Sequence, residues 1–81
     1  MITDNIIATY GELAKGKIID IHTNDGIEWT YMMEGKCKFN LDGQTYLLEE
    51  GDSVSYDARM EHSVIAIEKL KFFNIFVEDK K

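Results

Sequence analysis

A two-residue alternation of apolar and polar side chains, interrupted at regular intervals by an acidic residue followed by glycine, constrains this chain more than any other feature. Ile19 and Ile21 alternate with Asp20 and His22, Trp29, Tyr31 and Met33 with Glu28 and Thr30, and Cys37, Phe39 and Leu41 with Lys36, Lys38 and Asn40. A period of two is that of a strand with its faces in different environments. Asp25-Gly26, Glu34-Gly35, Asp42-Gly43 and Glu50-Gly51 fall between the runs, and each pair can supply the positive φ angles of a tight hairpin. The pattern predicts strands near 17–22, 27–34, 36–41, 44–48, 53–56, 62–67 and 71–77, hence an all-β antiparallel sandwich or barrel. Residues 1–15 are open to two readings. Ile6, Ile7, Tyr10, Leu13 and Ala14 would form one face of a helix, but Gly11 interrupts it, and an edge strand or arm fits as well.

With 81 residues and no proline, the chain is one small domain. Such a domain buries only about 60–65% of its unfolded surface, so its core is thin and some apolar surface is expected against a partner. A net charge of −6 disfavours nucleic acid and anionic membrane as partners. No apolar run approaches the length of a membrane span, and "MITDNIIATY" lacks the basic start and cleavage site of an export signal, so a cytoplasmic location is expected. The lone Cys37 fits a reducing compartment and sits in an alternating strand as a packing residue.

Polar residues recur at fixed offsets. Gly16 is followed by five residues and His22, one residue and Asn24, three residues and Glu28, then six residues and Gly35. A second run carries Gly51, five residues, Asp57, one residue, Arg59, two residues and His62. These spacings resemble the two motifs of the cupin superfamily, glycine-x5-His-x-His-x3 or 4-Glu-x6-glycine and glycine-x5-Pro-x-Gly-x2-His. The resemblance spans roughly residues 16–77. Asn24 replaces a histidine, while Asp57 and Arg59 replace the proline and glycine.

The resemblance implies a small jelly-roll barrel over 16–81, with metal ligands at His22, Glu28 and His62 and Asn24 a weak or absent fourth. Two imidazoles and a carboxylate suit an open-sided site for a divalent transition metal, Fe, Mn, Ni, Co or Zn. Arg59, able to clamp a carboxylate, Tyr56 and Met32 make up the candidate ligand-binding set. Alternation places His22 on one face with Ile18 and Asp20, Glu28 with Thr30 and Met32, and His62 with Val64 and Ala66. With those faces inside, Ile19, Ile21, Trp29, Tyr31 and Met33 point outward, which predicts a homodimer or cover by the N-terminal segment. With the aromatic stripe inside, Glu28 faces solvent and the site vanishes. The functional expectation is a small-molecule-binding or sensing protein with a metal in the barrel. The alternative is a metal-dependent enzyme, a dioxygenase, isomerase or decarboxylase, acting on a small polar metabolite. The stretch "GDSVSYDARMEHSV" looks like the second motif of sensor domains joined to helix-turn-helix regulators; 15 leading residues cannot hold such a unit, so sensing would need a separate partner.

Overall fold

The computed structural model describes residues 5–78 as eight antiparallel strands. These are β1 (Ile6–Leu13), β2 (Ile18–His22), β3 (Gly26–Glu34), β4 (Lys36–Leu41), β5 (Gln44–Glu49), β6 (Ser53–Asp57), β7 (His62–Ala66) and β8 (Leu70–Glu78). They form two four-stranded sheets, ordered β1-β8-β3-β6 and β2-β7-β4-β5. That order is a jelly roll, flattened into two facing sheets rather than closed by a ladder from one sheet to the other. Among the described residues there is no helix, and so none long and apolar enough to cross a membrane.

The ambiguous N-terminal segment is a strand. β1 lies at the edge of the first sheet, paired with β8 from Ile6↔Val77 to Leu13↔Leu70. Gly11, which breaks the helical pattern, faces the ring of Phe72 across this ladder, and a Cβ there would lie only 2.4 Å from the ring. The glycine serves close packing between strands.

The four Asp/Glu-Gly pairs are not equivalent. Asp42 (φ 49°) and Gly43 (φ 82°) form the two-residue β4–β5 hairpin, both in the left-handed region that such a turn needs. Gly35 and Gly51 also have positive φ. Gly26 does not, which corrects the expectation that it supplies a turn. It is the buried first residue of β3, and a Cβ there would lie 2.2 Å from the carbonyl oxygen of Val77. Its smallness lets β8 approach β3 beside the site.

Two apolar clusters fill the space between the sheets. Met32, Cys37, Ala66 and Leu70 pack with Leu13, Leu48, Val64 and Phe72. Phe39, Tyr56 and Ala58 pack with Leu41, Val54, Val64 and Phe76. Burial pushes the Cys37 thiol up to about 11, so it stays protonated and unreactive near neutral pH, as a packing residue should.

Candidate metal centre

Glu28, Thr30 and Met32 do point inward, together with His62, Val64 and Ala66, as the strand registers require. Glu28 is 8% exposed and His62 2%. The alternative with the aromatic stripe inside is thereby excluded, since Tyr31 and Met33 are exposed and Trp29 half-buried.

β2 departs from simple alternation. Ile19 pairs with Val64 and His22 with His62, so an extra residue is accommodated between them in a β-bulge. The bulge corrects two expectations. His22 shares the inner face with Ile19, whereas Ile18, expected to accompany it, is 58% exposed. The physical reason is that a two-residue period holds only while the ladder stays in register.

His22, Glu28 and His62 converge, with one ligand atom from each lying within 4.8 Å of the others. The two imidazole rings lie 4.2 Å apart, and His62 Nε2 is 3.5 Å from Glu28 Oε1. His22 is exposed, so the cluster opens to solvent on its side.

Backbone carbonyls fix one nitrogen of each ring. His22 Nδ1 is 2.7 Å from Asp20 O, and His62 Nδ1 is 2.8 Å from Met60 O. A carbonyl only accepts, so each Nδ1 carries hydrogen and donates it, and in the neutral ring each Nε2 is left with a bare lone pair. His62 Nε2 is buried with no hydrogen-bond partner. In the neutral ring its lone pair faces Glu28 Oε1 at 3.5 Å, acceptor against acceptor. A cation held by His22, Glu28 and His62 would remove this conflict, and the donor set of two imidazoles and one carboxylate suits a divalent transition metal.

The support around Glu28 comes from elsewhere in the fold. Tyr56 Oη donates to Glu28 Oε2 at 3.2 Å, and Asn24 Nδ2 donates to Glu28 Oε1 at 3.5 Å. Burial, followed by the Glu28 carboxylate, raises the Tyr56 hydroxyl well above its ordinary range, so it remains a donor. The loops carrying these residues are tied by main-chain bonds, Asn24 N to Ala58 O and Ala58 N to Gly26 O, both 2.8 Å. Ala58 is fully buried in that tie.

Of the remaining sequence candidates, Asn24 joins Tyr56 at Glu28, while Met32 and Arg59 lie elsewhere. Asn24 turns its amide nitrogen toward Glu28, acting as a donor to that carboxylate. Met32 lies four residues along β3 from Glu28, in the core cluster with Cys37 and Leu70, where packing accounts for it. Arg59 folds onto Asp57 at 2.9 Å and lies 3.9 Å from Asp25, on the exposed turn. That pairing holds the Asp57 carboxyl below its usual range. Sequence reasoning missed the carbonyls of Asp20 and Met60, which no side-chain pattern announces; the ring of Phe39, packed in the core, lies 6.5 Å from that of His62. A surface cleft of about 500 Å³ lies at the other end of β3, among Glu34, Lys36, Glu49, Glu50, Glu68 and Lys69. It shares no residue with the histidine cluster.

A jelly roll with an inward His, Glu and His at one end defines a class of small β-barrel domains built around a metal-compatible centre. The chain belongs to the cupin domain family, whose model matches residues 9–76. No curated protein matches it. Among solved structures it resembles a conserved protein of unknown function from Streptococcus pyogenes, with TM-score 0.90 and 23% identity over 98% of this chain and 69% of that one. It also resembles a predicted oxalate decarboxylase from Thermotoga maritima, with TM-score 0.82 and 21% identity over 90% of this chain and 66% of that one. A third likeness is an HTH_3 family transcriptional regulator from Vibrio cholerae, with TM-score 0.83 and 21% identity over 94% of this chain and 44% of that one. At such identities these likenesses concern the fold alone.

Proposed function

We propose that the protein binds a small polar or acidic molecule at a mononuclear divalent-metal site held by His22, Glu28 and His62, in a binding or sensing role. The observation that carries this reading is the buried, unpartnered Nε2 of His62 facing the Glu28 carboxylate, with the second imidazole beside it. A bound metal would act as a Lewis acid, offering open coordination positions to a carboxylate or hydroxyl of the ligand.

The chain's own residues do the rest. Met60 and Asp20 hold the imidazole tautomers, Tyr56 orients Glu28, and Phe39 excludes water from the His62 side. Opening on the His22 side gives a small ligand its way in. Binding is favoured over turnover because Glu28 and both histidines are committed as ligands. Tyr56, already donating to Glu28, is the further titratable side chain bonded to them among the described residues. Arg59, paired with Asp57, lies at the margin and would meet only a ligand extending out of the barrel.

Elemental analysis of the purified protein tests the reading. Near-stoichiometric Fe, Mn, Ni, Co or Zn is expected, retained through dialysis and lost in both His62→Ala and Glu28→Gln. Protein that stays metal-free after incubation with each ion, while folded by circular dichroism, would overturn it. Thermal-shift measurements with oxalate and malonate on the loaded protein then probe the open positions. Turnover of either acid would move the assignment to the enzyme class.

A further inference from the structure

The inner face of the sheet β1-β8-β3-β6 is built in rows, because residues paired across antiparallel strands share a face. Ile7, Phe76, Glu28 and Tyr56 form the row at the metal centre, while Gly11, Phe72 and Met32 form an apolar row toward the core cluster. Between these rows run Thr9, Asn74, Thr30 and Val54. Thr30 Oγ1 donates to Asn74 Oδ1 at 2.6 Å. Both residues are half-buried and stand on β3 and β8, the two central strands of the sheet, where an inward position ordinarily holds an apolar side chain.

On the water-facing side of the other sheet the same pairing is ordinary, with Thr45 Oγ1 donating to Asn40 Oδ1 at 2.6 Å. Turned inward, it takes the place of apolar contact in a thin core and costs stability that valine or leucine would not. The pair also satisfies itself only in part. Thr30 occupies the amide oxygen of Asn74, and among the described residues the Nδ2 group has no bonding partner for its hydrogens. This donor is within reach of solvent. Ile7 is 49% exposed and Thr9 is exposed although both face inward, and His22 is exposed on β2, the edge strand joined to β1 through residues 14–17. The gap between these two edges is where a small molecule meets the inner face.

We infer that Asn74 determines ligand specificity at the metal centre, its Nδ2 donating to a neutral oxygen of a small hydroxy or oxo acid whose carboxylate reaches the metal, a role that rests on the metal site proposed above. Asn74 stands diagonally across the β3–β8 ladder from Glu28, a separation of about 7–8 Å for such positions, which a chain of about four carbons spans. The free group is a neutral donor. It therefore suits a hydroxyl or carbonyl oxygen, and not an ammonium, which has no acceptor to offer, or a second carboxylate, whose charge it does not compensate. The net charge of −6 acts in the same direction against a dianion. Thr30 is a positioning residue. By holding Oδ1 it fixes which way the amide faces and leaves Nδ2 for the ligand.

Calorimetric titration of the Zn-loaded full chain with 4-hydroxybutyrate and with butyrate tests this, since the two acids differ by one hydroxyl. The hydroxy acid is expected to bind roughly three- to tenfold more tightly, as one net hydrogen bond warrants. Asn74→Leu, close in volume, should erase that ratio while butyrate affinity and Zn content stay at wild-type values. Thr30→Val, the milder change, should shrink the ratio and serves alone if the leucine variant is unfolded by circular dichroism. A loaded wild type that binds both acids equally, or neither, would overturn the inference with the metal site left standing. So would a preference that survives both substitutions. Protein that takes up no Zn yet prefers the hydroxy acid by a margin lost in Asn74→Leu would remove the metal and uphold Asn74. Protein that takes up no Zn and prefers neither acid would remove both.

Discussion

At the scale of single residues, the site is defined by a conflict. With Nδ1 donating to Met60 O, His62 turns Nε2 toward the carboxylate of Glu28, and both groups are almost wholly shielded from water. Two acceptors held together in a region of low dielectric cost stability unless a cation lies between them. Glu28→Gln separates this cost from the binding it serves. The amide nitrogen of glutamine can donate to His62 Nε2 while its oxygen still accepts from Tyr56, at the loss of the long bond from Asn24, so the metal-free variant should stay within about 1 kcal/mol of the wild type. Its metal affinity should fall roughly a hundredfold, because an amide is a poor ligand for a transition metal. Urea unfolding of the metal-free proteins, set beside titration with Zn or Mn, reads both quantities. A variant that loses stability and affinity together would show Glu28 to be chiefly a packing and hydrogen-bonding residue. His22, Glu28 and His62 were legible in the sequence because their spacing resembles the two cupin motifs, and the structure brings the three together. The Asp20 and Met60 carbonyls that fix the tautomers were not, since every residue has a carbonyl and only the folded loop aims it.

At the scale of elements, alternation located seven strands within a residue or two, because a half-buried sheet imposes its period on composition. β1 escaped it because its two faces are both largely exposed, leaving little difference for the sequence to record. The bulge in β2 was hidden for a related reason. Ile18, Ile19 and Ile21 are apolar on both sides of the strand, so a one-residue slip leaves no mark. Glycines were legible as a group but not by role, and substitution should separate them. Gly43 has φ +82° with open space where a Cβ would stand, so Gly43→Asn should cost under about 1 kcal/mol. Gly35 has φ +95° and the carbonyl oxygen of Lys69 only 2.1 Å from that point, and Gly26 has the Val77 carbonyl oxygen at 2.2 Å. Gly35→Ala and Gly26→Ala must displace backbone and should each cost about 3 kcal/mol. Gly26→Ala should also weaken metal binding, since it lies two residues from Glu28 and bonds to Ala58. Chemical denaturation with a metal titration of each folded variant checks the order. Equal costs for Gly43→Asn and Gly26→Ala would refute the distinction.

At the scale of the whole molecule, the thinness foreseen from length is borne out. Among the described residues, the buried hydrophobic side chains are only Met32, Cys37, Phe39, Tyr56, Ala58, Ala66 and Leu70. A molecule with so little interior should draw a large share of its stability from what it binds, and the proposed metal links three strands. His22 comes from the end of β2, Glu28 from β3 and His62 from the start of β7, so one ion would join the two sheets where no ladder does. The linkage relation gives about 2.7 kcal/mol of stabilisation when free metal stands at a hundred times its dissociation constant. For a domain of this size each kcal/mol moves the melting temperature by about 4–8 °C, so loading should raise it by roughly 10–20 °C. Calorimetry at a fixed protein concentration, before and after chelation, measures the difference. The shift should vanish in Glu28→Gln but persist in Leu47→Asp, whose side chain is exposed on β5 away from the cluster. A chelation shift of equal size in Glu28→Gln would mean that the ion acts outside the His22, Glu28 and His62 cluster, and the link between the sheets would have to be sought in packing.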